Sequence, residues 1–491
     1  MSICSSLHSR DCRVSRGAAL AGVAVLALLA AGCETRQEWL TRARVQSVER
    51  GLLRAIYLKG QRPEKLSLDT RLQFYKVPGA CVAVMDKNRL EWARGYGVRD
   101  VHSRQPVTTD TVFQAGALSQ PVAAAAALRL VDQGRLDLDG DIAPRLRGLN
   151  LAAAGLETAG QVTLRAILSH SDGLARARLA GCPKGQRFPA LIDLISHGES
   201  LTPVAEAGSS DVGFAVLELF LESVTSTPFP SLMNAAVFGP LGMKSSTFEA
   251  PLPEALAINA ASGHLRDGRP VDGQWLTYPA AAADGLWATS SDLVAFAADV
   301  LTTAMGNDGK VLSAGSARAM LTSQSAGRGL GFEVDGAGQD LRFHLDGRTA
   351  GFTSTLVVYP YKGQGAVILT NSDNGSLVAE EILRAVSAAY DWPDWKPQER
   401  PLFRLDPSIY RQYIGRYQVT PDYVLDVAYE DYYLVIRPTG QAPTRFFVES
   451  QTFFFSIDPY VRIQFLSDDK GRVTGLVLWQ QDFKQEAKKI G

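Results

Sequence analysis

A chain of 491 residues, 46% of them hydrophobic, is long enough to bury a large core and to hold more than one domain. Fifty basic residues against fifty-one acidic ones leave a formal net charge of −1 without a basic run, which argues against nucleic acid as a partner. The six histidines show no metal-ligand spacing, and no Walker loop, His-Glu-x-x-His helix or Gly-x-Ser-x-Gly elbow occurs, so no metal or other cofactor is expected.

In chain order, residues 1–32 read as a targeting segment. Arg10, Arg13 and Arg16 supply a positive start, and Gly17 to Gly32 is an apolar run short of the roughly 20 residues a spanning helix needs. It closes on Leu29-Ala30-Ala31-Gly32-Cys33, which resembles a bacterial lipobox. That resemblance implies an exported lipoprotein with lipid attached at Cys33, facing the periplasm and held at the outer membrane. Ordinary signal-peptidase cleavage nearby is the alternative. From Glu38 to Leu58, apolar residues at near-helical spacing predict an N-terminal helix.

Six blocks then follow in order. They are Val77-Pro78-Gly79-Ala80-Cys81-Val82-Ala83-Val84 with Gly95-Tyr96-Gly97-Val98, the helix end Leu130 to Asp139, and Leu168-Ser169-His170-Ser171-Asp172-Gly173-Leu174. Gly239-Pro240-Leu241-Gly242-Met243 and Gly285-Leu286-Trp287-Ala288-Thr289-Ser290-Ser291-Asp292-Leu293 complete them. Together they resemble the serine β-lactamases, penicillin-binding peptidases and related esterases, in particular the class C-like and esterase branch. The resemblance implies an antiparallel sheet flanked by helices, with a helical subdomain inserted at about 110–245.

The same resemblance locates three catalytic motifs, and all three are altered. Ser-x-x-Lys reads Ala117-Leu118-Ser119-Gln120, so the nucleophile position is Ala117 and the base position Gln120. Tyr-x-Asn, counted back from Gly213-Phe214, falls on Ser209-Ser210-Asp211. Lys-Thr-Gly or His-x-Gly, counted back from Gly351-Phe352, falls on Leu345-Asp346-Gly347. His344 is one residue from the histidine position, and in a strand that offset turns its side chain to the opposite face unless a bulge restores register.

Serine attacks only when a neighbouring base takes its proton. Alanine has no lone pair to attack with, and an amide has no useful proton affinity. Removing a nucleophile that works as a unit costs on the order of 10⁶ in rate, about 8 kcal/mol of barrier. Reading Ser119 as the nucleophile puts Val122 at the base position, and Ser467-Asp468-Asp469-Lys470 reads as a hairpin turn. His170 belongs to the family's Ser-His turn, where it is structural.

Beyond Asp391, three prolines in nine positions mark a linker over 391–405. Short aromatic strands over 406–491 predict a small all-β barrel-like domain similar to the lipocalin-like tail of many β-lactamase-related proteins. Residues 33–390 form the β-lactamase-related α/β domain. With Cys33 lipidated, Cys81 and Cys182 remain in an oxidising compartment, and a bridge between them stays open.

The expected function is binding without serine catalysis. The ligand would be a peptidoglycan peptide, a β-lactam-like molecule or a protein partner. The rivals are an active serine hydrolase that recruits Ser119, Ser209 or His344, a role carried by the tail domain, and an eroded duplicate with none.

Overall fold

The computed structural model describes residues 36–146, 162–174, 177–186, 188–197, 201–203, 211–480 and 483–490. Residues 1–32, expected to be a targeting segment, lie outside the described residues, as do Cys33 and Ser209. The first helix, α1, spans 36–49 and stops sooner than the apolar spacing predicts. At Gly51 the backbone passes so close that a β-carbon would lie 2.3 Å from the Ser47 carbonyl oxygen, and the chain turns out into a strand at Ile56–Leu58.

After α2 (Leu68–Phe74), β1 (Gly79–Asp86) and β2 (Arg89–Gly97) form the first hairpin of the main sheet. The sheet is completed late in the chain by β3 (Glu333–Asp335), β4 (Arg342–Thr349), β5 (Phe352–Tyr359) and β6 (Gln364–Thr370). The order is β3-β4-β5-β6-β1-β2, with every neighbour antiparallel. Strand β1 is buried along its whole length because both faces of the sheet are covered.

Alternate residues of β1 feed two separate cores. Ala80, Val82 and Val84 pack with Val48 of α1, Leu72 of α2 and the helix Gly375–Tyr390. Cys81, Ala83 and Met85 face the larger core, built on α3 (Ser119–Asp132), α4 (Asp211–Thr225), α5 (Ala281–Asp284) and α6 (Ser290–Ala304). The helix Gly375–Tyr390 becomes α7. Helix α3 is buried all round, and its run Ala123 to Ala127 lets neighbouring backbones come close. No single helix among the described residues is long and apolar enough to cross a membrane.

Cys81 and Cys182 are both free thiols. Burial pushes the Cys81 thiol up to about 11, and its Sγ lies 3.1 Å from Ser290 Oγ.

The proline-rich stretch contains a short strand, Gln398–Arg400, paired in parallel with Ile56–Leu58. Beyond it, β7 (Gly415–Thr420), β8 (Tyr423–Glu430), β9 (Tyr433–Pro438), β10 (Thr444–Val448), β11 (Phe453–Ile457), β12 (Tyr460–Ser467), β13 (Val473–Gln480) and β14 (Phe483–Lys489) close into an eight-stranded barrel. Ser467 to Lys470 lies at the turn between β12 and β13, where the Asp468 carboxylate accepts from the Lys470 and Arg472 backbone N–H groups. The barrel interior is packed with its own aromatics; Tyr413 stacks on Phe465 at 4.2 Å.

A buried ionic cluster fastens the barrel to the α/β body. Arg71 Nε donates to Glu381 Oε2 at 2.7 Å and Arg71 Nη2 to Asp458 Oδ1 of the β11–β12 turn at 2.6 Å. Tyr75 OH donates to Glu381 Oε1 at 2.8 Å, and Arg54 Nε to Asp458 Oδ2 at 2.8 Å. Ile56 and Leu58 pack on Phe455 beside it.

Candidate active site and its altered centre

The site is built around the turn that leads into α3. Gly116 has φ +53°, and a β-carbon there would lie 2.7 Å from Arg348 N of β4, so the chain at this point both needs and uses glycine. A single turn of 3₁₀-helix, Gly116–Leu118, then carries Ala117 to the start of α3. Gly347 lies alongside: a β-carbon at 347 would meet Ala115 O at 2.2 Å and Ala117 N at 2.9 Å. The third motif position is thus brought to the first, Gly347 through β4, while Asp211 opens α4, which packs on α5.

Ser119 is fully buried and its hydroxyl is committed. It donates to Gly116 O at 2.6 Å and accepts from Leu286 N at 3.0 Å. Ala115 N donates to Leu286 O at 2.8 Å, and Ser354 Oγ donates to Ala115 O at 2.7 Å. These bonds tie the 3₁₀ turn to the Gly285-Leu286 block and to β5. They also direct the Ser119 hydroxyl into the scaffold.

Gln120 is also fully buried. Its Oε1 accepts from His170 Nε2 at 3.1 Å, and its Nε2 has no hydrogen-bond partner among the described residues. The His170 ring packs on Phe214 of α4 at 5.3 Å, which sets Gln120 beside the N-terminal turn of that helix.

Strand β4 keeps regular register with β5 and has no bulge. Leu345 and Gly347 therefore face the large core, while His344 and Asp346 face the other way. His344 Nε2 pairs with Asp335 Oδ2 at 2.8 Å across β3, and Asp346 Oδ1 accepts from Thr355 Oγ1 at 2.6 Å. No base stands beside Ala117 from this strand.

An acid stands where an amide was expected, and a second acid acts on it. Asp211 is buried and its Oδ2 accepts from Leu179 N at 2.8 Å; burial pushes its carboxyl up to about 6, against the hydrogen bond and the Arg178 charge. Asp284, the last residue of α5, stands 8% exposed. Burial, reinforced by the Asp211 charge, drives its carboxyl well above the usual range. Helix α5 packs on α3, α4 and the 3₁₀ turn, so Asp284 sits at their junction. Tyr278 OH accepts from Ala350 N at 2.8 Å, and burial followed by the charges of Asp284, Asp373 and Asp211 raises its phenol, which stays protonated at neutral pH.

A family profile described as Beta-lactamase matches residues 67–390. The chain belongs to the β-lactamase family. Among relatives of this β-lactamase-family protein, penicillin-binding protein 4 of Amycolatopsis lactamdurans is 32% identical over 63% of this chain and 85% of its own length. The esterase EstB of Burkholderia gladioli is 29% identical over 42% of this chain, and the match spans 56% of the esterase. The octameric penicillin-binding protein homologue from Pyrococcus abyssi shares the fold with a TM-score of 0.56 at 18% identity, covering 85% of this chain and 97% of that one.

Asp284 and Tyr278 are the site residues that motif reading passes over. The one signal for Asp284 is an acid set directly before Gly285-Leu286, in an otherwise alanine-rich turn. Tyr278 lies outside every block.

Proposed function

We propose that this β-lactamase-family chain is a non-catalytic binding protein, one that uses the substrate cleft of a serine hydrolase to hold a wall-derived peptide, a β-lactam-like molecule or a partner segment. The observation that carries the reading is the pair at the start of α3: Ala117 offers no nucleophile, and Gln120 offers an amide where the serine mechanism needs a base. Ser119 supports it, since its hydroxyl is spent on Gly116 and Leu286, and so does His344, paired with Asp335 on the far face of β4. The resemblance of Leu29 to Cys33 to a lipobox supports a place on the periplasmic side of a bacterial membrane, with lipid on Cys33 as the anchor and the outer membrane as the site.

The test is turnover of ester and β-lactam probes at protein concentrations able to reveal a rate reduced by about 10⁶. The expected rate equals that of buffer. Turnover that disappears in Ser209→Ala would overturn the reading in favour of a hydrolase of altered chemistry.

A further inference from the structure

Trp39, Leu40, Leu90 and Tyr361 are 63%, 38%, 42% and 54% exposed. Exposed apolar side chains scattered singly are ordinary, but these four share one end of the main sheet. A cleft of about 190 Å³ joins Gln37 and Thr41 of α1 to Lys87, Arg89 and Leu90 at the β1–β2 turn. Thr41 Oγ1 donates to Glu91 Oε1 at 3.0 Å and Arg44 Nη1 to the same oxygen at 2.9 Å, which pins the first turns of α1 there. Asn88 N donates to Gly363 O at 2.9 Å, so the β5–β6 turn that carries Tyr361 joins them. Val48 of α1 is buried, and at about 3.6 residues per turn Trp39 lies on the opposite, outward side of the helix.

The exposed charges around these side chains lean positive. Asp86 and Glu91 are largely covered and both accept from Arg44. At the surface stand the cations Arg36, Arg42, Lys87 and Arg89, with Lys362 half-buried behind them and its Nζ donating to Asp391 O at 3.1 Å. The exposed acids are Glu38, which lies 3.9 Å from Arg42, Asp391, and Asp340 in the turn packed against Pro360–Lys362. The cleft of the altered centre is at the other end of the sheet. Strand β4 leaves this end at Arg342 and Phe343, opposite Val358, and reaches Gly347 and Arg348 only as it approaches Thr349, opposite Phe352.

We propose that this end of the sheet docks on the surface of a bilayer that contains anionic phospholipid, with Trp39, Leu40, Leu90 and Tyr361 at headgroup depth and Lys87, Arg89 and Lys362 against the phosphates. Tryptophan and tyrosine suit that depth because each ring is apolar in body and polar at one edge. The cations gain from the negative surface potential, an attraction that salt screens. In sequence, Cys33 stands three positions before the first residue of α1, so a lipid there would tether the chain beside Trp39 and Leu40. That tether rests on the reading of Cys33 as the anchor, and the docking face is additional to it: lipid fixes the distance to the membrane, and this face fixes the orientation. Docked so, the protein turns the Gly116 and Gly347 end, with its cleft, away from the bilayer.

Lysine footprinting tests this on the full chain as isolated from membranes and added to preformed vesicles of phosphatidylcholine, alone or mixed with phosphatidylglycerol. A water-soluble acylating reagent is applied and each lysine is followed by peptide mass spectrometry. Lys87 and Lys362 should react about threefold more slowly on the phosphatidylglycerol vesicles, and high salt should abolish the difference. Lys65 and Lys470, exposed elsewhere on the molecule, should react equally on both. The double variant Trp39→Ser, Tyr361→Ser changes only exposed side chains and should restore fast labelling of Lys87 with an unchanged denaturation midpoint. Equal labelling of Lys87 on the two vesicles, slowing shared by Lys65 and Lys470, or slowing that persists in the double variant overturns the proposal. Protection of Lys87 that ignores both lipid and salt also overturns it and gives the face to a protein partner. An intact mass without acyl chains on Cys33 would bring down the anchor reading alone, and co-flotation of that chain with phosphatidylglycerol vesicles, lost in the double variant, would still uphold the docking face.

Discussion

Oε1 of Gln120 lies 3.1 Å from Nε2 of His170, so the residue at the base position of the family motif serves as a buried hydrogen-bond acceptor. An amide oxygen carries no hydrogen, which makes His170 Nε2 the donor. A serine restored at 117 would therefore find no proton acceptor at 120. Ala117→Ser alone should leave ester and β-lactam turnover at the level of buffer, measured by initial rates. A rise of a thousandfold would show that another group can take the proton.

Ser119 is a structural strut in this account. Ser119→Ala removes its bond to Gly116 O and leaves Leu286 N–H buried without an acceptor. The expected loss is about 1–3 kcal/mol in urea denaturation. Ligand binding at the cleft should persist in whatever fraction stays folded.

Glu218 of α4 provides a pH signature. Burial raises its carboxyl from 4.5 to about 8, even though Oε2 accepts from Ala282 N at 2.9 Å. Between those two values the folded protein binds more protons than the unfolded chain, so stability falls as pH rises through that window and levels off above it. The slope is about 1.4 kcal/mol per pH unit at its steepest. Glu218→Gln keeps an acceptor for Ala282 and removes the titration, so denaturation midpoints at pH 5 and pH 9 should differ less in the variant than in the parent.

The Arg71 cluster is predicted to set how firmly the barrel is held. Arg71 and Glu381 are both 3% exposed in their side chains, so Arg71→Met strands a buried carboxylate and should cost roughly 3–5 kcal/mol. Adding Glu381→Gln should restore part of that loss. The double-mutant cycle in chemical denaturation measures the coupling, and strict additivity of the two losses would contradict it.

Much of the fold was legible because its blocks are local. Pro78-Gly79 ahead of an apolar run, the helix end at Gly134 and the Gly285-Leu286 turn each write their geometry into a few adjacent residues. The barrel strands were readable from aromatic alternation in the same way, as at Phe453-Phe454-Phe455. What stayed hidden depends on residues far apart in the chain. Nothing near Asp458 announces Arg71, and Asp284 acquires its character only when α5 packs on α4 beside Asp211. The strand at Gln398–Arg400 was masked by flanking prolines and forms because Ile56–Leu58 offers it an edge. His344 illustrates register: a shift of one residue along β4 separates it from the Leu345 face, and no bulge intervenes.

Intact mass of the full chain after exposure to a fluorophosphonate and a panel of penicillins shows whether the cleft holds a working nucleophile. The mass should stay unchanged in a preparation shown to be folded by its denaturation transition. A stoichiometric adduct mapped to a single serine, whether Ser119, Ser209 or another, would mean that the cleft is a live hydrolase site.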